Sequence, residues 1–198
     1  MSTQKRNESI TTLCECAVMV ALSFVLSSLR LFPMPLGGSV TFASMLPVML
    51  ISVKYGLKVG LPTAFVYSVT QLIQALADGD VFPYCETAAT VAVCVIFDYL
   101  LPFTALGIAG IFHKLKMLKS AELNVYLGIL SAIFLRFVGH FITGAVIWGQ
   151  WAPDGMGKYL YSFLYNGAYL GVDFLICIIV AVLMFRKNEL RKLVRLDA

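Results

Sequence analysis

Arg136 and His140 stand four residues apart, so a helix places them on one face, one turn from each other. Trp148 and Trp151, the only tryptophans, follow; beyond a short Pro/Gly loop come Tyr159, Tyr161, Tyr165 and Asn166. Upstream, Asp98 sits directly after the apolar run TVAVCVIF. Together these residue types offer charge, flat aromatic faces and directional hydrogen bonds, the equipment for holding a small molecule. The rival chemistry is acid–base catalysis by His140 and Asp98. No nucleophile or metal-ligand set accompanies His140, and the other histidine, His113, falls in a basic connecting segment, so no enzyme is expected. Cys14, Cys16, Cys85, Cys94 and Cys177 are odd in number, and the Cys14/Cys16 pair has no second pair or histidine beside it, so neither metal nor cofactor is expected. No phosphate-cradling motif is present, so the chain does not draw on ATP by itself.

The segments that must position these residues are hydrophobic. Of 198 residues, 60% are hydrophobic and 13% charged, against about 45–50% and about 25% in soluble domains. The fold class expected is an all-α integral membrane protein, one six-helix membrane domain over residues 1–198. The spans read as Ile10–Leu29, Val40–Val53, Leu57–Leu76, Glu86–Phe112, Leu123–Trp148 and Tyr159–Phe185. The second is short for a bilayer crossing and holds Pro47, so a tilted, broken or partly buried segment is expected there. Pro102 should kink the fourth. The first opens like a signal peptide, but no small-residue cleavage site is evident and the run merges into an ordinary span. No repeat of the kind carried by inverted-repeat transporters is visible.

Orientation follows from Lys and Arg. Lys5, Arg6, Lys54, Lys58, Lys114, Lys116, Lys119, Arg186, Lys187, Arg191, Lys192 and Arg195 fall on one side of a six-span chain, whereas Arg30 and Lys158 fall on the other. Asp78, Asp80 and Asp154 join the second group. By the positive-inside rule both termini are expected in the cytoplasm. The opposite side carries loop 1, RLFPMPLGGS over residues 30–39, which either rests on lipid headgroups or covers an outward-facing pocket.

A charge near mid-bilayer costs at least about 2.5–3.5 kcal/mol, so it normally faces protein or a cavity and has a partner. Asp98 and Arg136 meet that condition, and two readings stay open: they pair to pin two helices, or with His140 they line a pocket reaching Trp148. Glu15 lies near a span end, and Asp173 has no partner evident from the sequence. In the first span Ala17 and Ala21, four apart, would let another helix approach closely.

Several stretches carry a family resemblance: AVMVA, GGSVTFASMLPVMLISVKYGLKVG, DYLLPFTALGIAG, LRFVGHFITGAVIWGQWAPDG and YSFLYNGAY. Nearly the whole chain resembles the thiamine-specific substrate-binding subunits (S-components) of bacterial energy-coupling factor transporters. The resemblance implies a multi-pass protein of the bacterial cell membrane that binds thiamine outside. Delivery would involve a transmembrane coupling subunit and two ATPase subunits, with no nucleic acid partner. It assigns the pocket to Asp98, Tyr99, Arg136, His140, Trp148, Tyr161 and Asn166, and the coupling surface to Ala17 and Ala21. Some members carry Glu and Lys where this chain has Asp98 and Arg136, and some carry a loop-1 Trp where this chain offers Phe32 or Met34. In this reading Asp98 offsets the thiazolium or accepts from the aminopyrimidine, Trp148 and His140 stack on the rings, and Arg136 orients Asp98. The alternative is an S-component of the same fold for riboflavin or hydroxymethylpyrimidine.

Overall fold

Five apolar helices among the described residues are long enough to cross a bilayer: Arg6–Ser28, Leu57–Asp78, Ala88–Leu115, Ala121–Val146 and Lys158–Phe185. They come from a computed structural model that describes residues 3–34, 37–79 and 81–196. Pro35 and Leu36 of loop 1 and the acid Asp80 lie outside the described residues. The chain is an all-α, multi-pass membrane protein. Its outward faces carry the residues that lipid requires, such as Leu13, Val18 and Val25 on the first helix, while Ser23 and Ser27 of that helix turn inward and are buried.

Helix α1 (Thr3–Ser28) leads into a hairpin of β1 (Arg30–Pro33) and β2 (Ser39–Thr41), paired antiparallel with an irregularity between Arg30 and Phe32. The apolar run over 40–53 does not form one helix. Val40 belongs to β2, and α2 spans only Leu46–Tyr55, with Leu46 through Val53 all buried. Ten residues of helix reach about 15 Å, half a bilayer core. A short segment beside irregular backbone survives at membrane depth because the bundle, not lipid, surrounds it. Pro47 costs nothing in the first turn, where its missing N–H has no helical partner.

Helix α3 (Leu57–Asp78) follows, then the fourth span, which is continuous but irregular. It is built of α4 (Ala88–Cys94), a π-helical turn (Val95–Leu100), α5 (Leu101–Thr104), a 3-10 turn (Ala105–Ile108) and α6 (Ile111–Leu115). The distortion expected at Pro102 begins one turn earlier. Proline removes the N–H that would serve the carbonyl of residue 98, and Leu101 N–H instead reaches Ile96 C=O, an i→i−5 bond. This widening lets Asp98 turn inward, where it is buried.

Helices α7 (Ala121–Val146) and α8 (Lys158–Phe185) pack closely, joined by a 3-10 turn at Trp148–Trp151 and a loop. The basic segments gather at one end of the bundle. Lys54 Nζ meets Glu15 at 2.6 Å, Lys114 Nζ donates to Lys54 C=O at 3.1 Å, and the Arg195 guanidinium lies 5.3 Å from the Tyr55 ring. Arg191, in the last turn of α9 (Asn188–Leu193), pairs with Glu122. At the opposite end Arg30 of β1 pairs with Asp78 at the tip of α3.

Candidate ligand-binding site

Between the hairpin, α3, the π turn, α7 and α8 lies a cavity of about 120 Å³. One buried water needs roughly 10–15 Å³ by this measure, so the space suits a small organic molecule rather than a lone ion. Asp98, Tyr99, Arg136, His140, Trp148, Tyr161 and Asn166 all line it, so the seven residues singled out from the sequence share one hollow.

Asp98 is its best-held charge. Oδ1 accepts from His140 Nδ1 at 3.1 Å and from the Thr143 hydroxyl. Oδ2 accepts from Trp148 Nε1 at 3.1 Å and, more weakly, from Cys94 Sγ at 3.4 Å. A carboxylate offers about four lone-pair sites, and these four donors fill them. Its charge is therefore held in place while its hydrogen-bonding capacity is spent within the protein.

Arg136 does not pair with Asp98 directly. Its Nε donates to His140 Nε2 at 3.2 Å, its Nη1 meets Met45 Sδ at 2.8 Å, and its guanidinium lies 4.1 Å from the Phe103 ring centre. The reason is axial offset: the π turn brings Asp98 level with His140 and Thr143, one and two turns beyond Arg136. Guanidinium is a donor only, so His140 Nε2 must accept and Nδ1 must carry the ring proton that reaches Asp98. The result is a chain, Arg136 to His140 to Asp98, in which a neutral imidazole links two buried opposite charges.

The aromatic walls have their own order. Tyr99 stacks on Phe82 and Phe103 at centroid distances of 5.8 and 6.4 Å. His140 meets Phe103 and Tyr169 edge-on. Tyr161 tilts against Tyr165 at 5.7 Å. The Asn166 amide donates to His140 C=O at 3.1 Å and Ser162 C=O at 3.0 Å, while its Oδ1 accepts from Tyr169 O–H at 3.2 Å and keeps one lone pair. Trp151 is 46% exposed, rests edge-on against Tyr84 and does not line the cavity.

In loop 1, Phe32 points outward at 68% exposure. Met34 packs against the core; the parts of the loop that line the cavity are Arg30, paired with Asp78, and Gly37–Ser39, where backbone and a small side chain face the hollow in place of a large apolar one. Ala17 and Ala21 lie exposed on α1, away from the cavity. Sequence reasoning missed Thr143, Phe103, Tyr169 and the partner of Asp173. Thr143 is three residues past His140 and was readable as the same helix face; the partner of Asp173, the Thr41 amide, is backbone and carries no side-chain signal. Beside the Arg30–Asp78 pair, two carboxylates, Asp98 and Asp173, face one guanidinium, Arg136, so the lining favours a cation.

Residues 13–193 match the family model for thiamine transporter protein (Thia_YuaJ). The chain belongs to this thiamine transporter family. It is 34% identical over 189 residues to the thiamine transporter ThiT of Bacillus subtilis, covering 91% of this chain and 93% of that one. It is 24% identical over 191 residues to ThiT of Lacticaseibacillus paracasei, covering 91% and 90%. Its fold is similar to the solved structure of ThiT from Listeria monocytogenes, with a TM-score of 0.72, 22% identity, and coverage of 92% of this chain and 98% of that one. Family membership together with the apolar spans makes this a multi-pass bacterial membrane protein involved in transport.

Proposed function

We propose that this chain captures thiamine in the cavity between the hairpin, α3, the π turn, α7 and α8, as the substrate-binding subunit of an energy-coupling factor importer. The observation that carries the reading is the fixed Asp98 carboxylate in a cavity with more negative than positive side chains, walled by aromatic rings. Thiamine is a flat, permanently charged cation. Asp98 offsets that charge through space, because its lone pairs are already occupied. The Trp148 and Tyr99 rings supply faces, with cation–π attraction of about 0.5–2 kcal/mol per good contact. The free lone pair of Asn166 Oδ1 suits an aminopyrimidine N–H, and Tyr161 adds a hydroxyl. A ligand lacking these groups would leave buried polar atoms unpaired, which is the basis of selectivity.

In this account the chain is one membrane domain of six crossings, α2 with β2 making the second, and the basic end with both termini is cytoplasmic. It does no chemistry on thiamine. Energy comes from two ATPases through a transmembrane coupling subunit docked on the exposed Ala17/Ala21 face of α1, where small side chains admit close helix contact. The test is the double substitution Ala17→Trp with Ala21→Trp. Purified variant protein should bind thiamine like wild type, while cells carrying it should lose uptake of labelled thiamine. Undiminished uptake would remove the docking assignment, and lost binding would place α1 in the site.

A further inference from the structure

Asp173 is a carboxylate with 1% of its surface exposed, and among the described residues no Lys or Arg lies within ion-pair distance of it. Both of its donors belong to one residue: Thr41 N–H reaches Oδ1 at 2.8 Å and Thr41 Oγ1–H at 3.4 Å. The Thr41 hydroxyl also meets Ser44 Oγ at 2.7 Å, at the entry to α2. Asp173 is the last of three α8 side chains spaced four apart, hence on one stripe. Tyr165 O–H donates to Gly37 C=O at 2.5 Å. The Tyr169 ring lies so close over Gly38 that a Cβ there would come within 3.2 Å of it, and Gly38 has φ of +76°. Three turns of α8 thus run along residues 37–41, and Gly37, Gly38, Ser39 and Thr41 line the cavity with Tyr165, Tyr169 and Asp173. The hairpin that contains this wall has two short strands of irregular register, and an isolated two-stranded hairpin is marginal by itself. Something outside the hairpin must fix it.

We infer that Asp173 is a positioning residue for the binding cavity: by accepting the Thr41 amide it fixes the Gly37–Thr41 wall against α8, and so sets how long a bound ligand stays. For the position of the wall the acceptor matters; the negative charge counts only in the field that a bound cation feels. This inference rests on the thiamine reading for its ligand, but not for its geometry.

Two readouts on the full-length protein in detergent test it. Without ligand, hydrogen exchange followed by mass spectrometry reads peptides covering residues 37–45. With thiamine, stopped-flow tryptophan fluorescence reads dissociation. Asp173→Ala should speed exchange at Thr41 and thiamine release, each about tenfold or more. Asp173→Asn keeps a carbonyl acceptor and loses the charge; it should stay within about threefold of wild type in exchange at Thr41, and release thiamine faster than wild type but clearly slower than Asp173→Ala. Should Asp173→Ala not fold, Asp173→Leu fills the space without an acceptor and takes its place. Unchanged exchange at Thr41 in the acceptor-less variant would overturn the inference. So would an Asp173→Asn protein that keeps Thr41 protected yet releases thiamine as fast as Asp173→Ala, since the charge would then be the operative feature. If wild-type protein binds no thiamine, the ligand assignment fails and the exchange arm still decides the anchoring role.

Discussion

Replacing Asp98 by Asn keeps the shape of the side chain and removes one charge. In the structure Oδ1 takes the His140 and Thr143 donors, and Oδ2 takes Trp148 Nε1–H at 3.1 Å with the weaker Cys94 thiol. Asparagine keeps an oxygen for the first pair but sets its own NH₂ against the indole N–H, two donors face to face. Two losses follow for a bound cation. Coulomb attraction between unit charges about 6 Å apart, at an effective dielectric near 20, is about 3 kcal/mol, part of which water already screens. The misdirected Trp148 ring adds a loss of order one hydrogen bond to a charged group, about 1.5–3 kcal/mol before relaxation. The two overlap, because both concern one oxygen, so the net expectation is about 1.5–3 kcal/mol, or about 10- to 150-fold weaker thiamine binding. Isothermal calorimetry on purified protein measures this directly, with thermal unfolding as a control for fold. A neutral aminopyrimidine without the thiazolium should lose much less than thiamine does. If Asp98→Asn bound thiamine within about twofold of wild type, the electrostatic argument for the cavity would be refuted.

Arg136→Lys keeps the cation but gives up the planar stack on Phe103 and the fork that reaches both His140 and Met45; the expected cost is about 1 kcal/mol, a fivefold loss of affinity by calorimetry, and a gain in affinity would mean that the relay through His140 is irrelevant to binding. Gly128→Ala should lower the thermal stability of the detergent-solubilised protein by about 1–3 kcal/mol, because a Cβ there would overlap the Ala109 carbonyl where α7 crosses the fourth span. Gly171→Ala, on the same measurement, should be neutral or slightly stabilising, since no atom lies within 4 Å of its Cβ position.

The long spans were legible because lipid demands near-continuous apolar runs, and the charges were legible because they are expensive in hydrocarbon. That is why Asp98, Arg136 and His140 stood out, and why they lie in one cavity. What could not be read was who meets whom. A direct Asp98–Arg136 contact was one expectation, but the π turn before Pro102 shifts Asp98 along the bundle to His140, and hydropathy carries no trace of that shift. The second span failed as a helix in its first half because Val40 was claimed by strand pairing with β1, a contact between residues outside any one window. Asp173 had no visible partner because its partner is a backbone amide 132 residues away. Loop 1 offered Phe32 and Met34 as the obvious contacts; the structure lines the cavity with Gly37 and Gly38, whose positive φ values of +89° and +76° bring bare backbone over it.

The most direct measurement is calorimetric titration of the purified, detergent-solubilised chain with thiamine, riboflavin and hydroxymethylpyrimidine in parallel. Tight one-to-one binding of thiamine, with hydroxymethylpyrimidine far weaker for want of the cation and riboflavin silent, is the predicted result. Heat from riboflavin, or equal affinity for the uncharged pyrimidine, would contradict a cavity built around a flat cation.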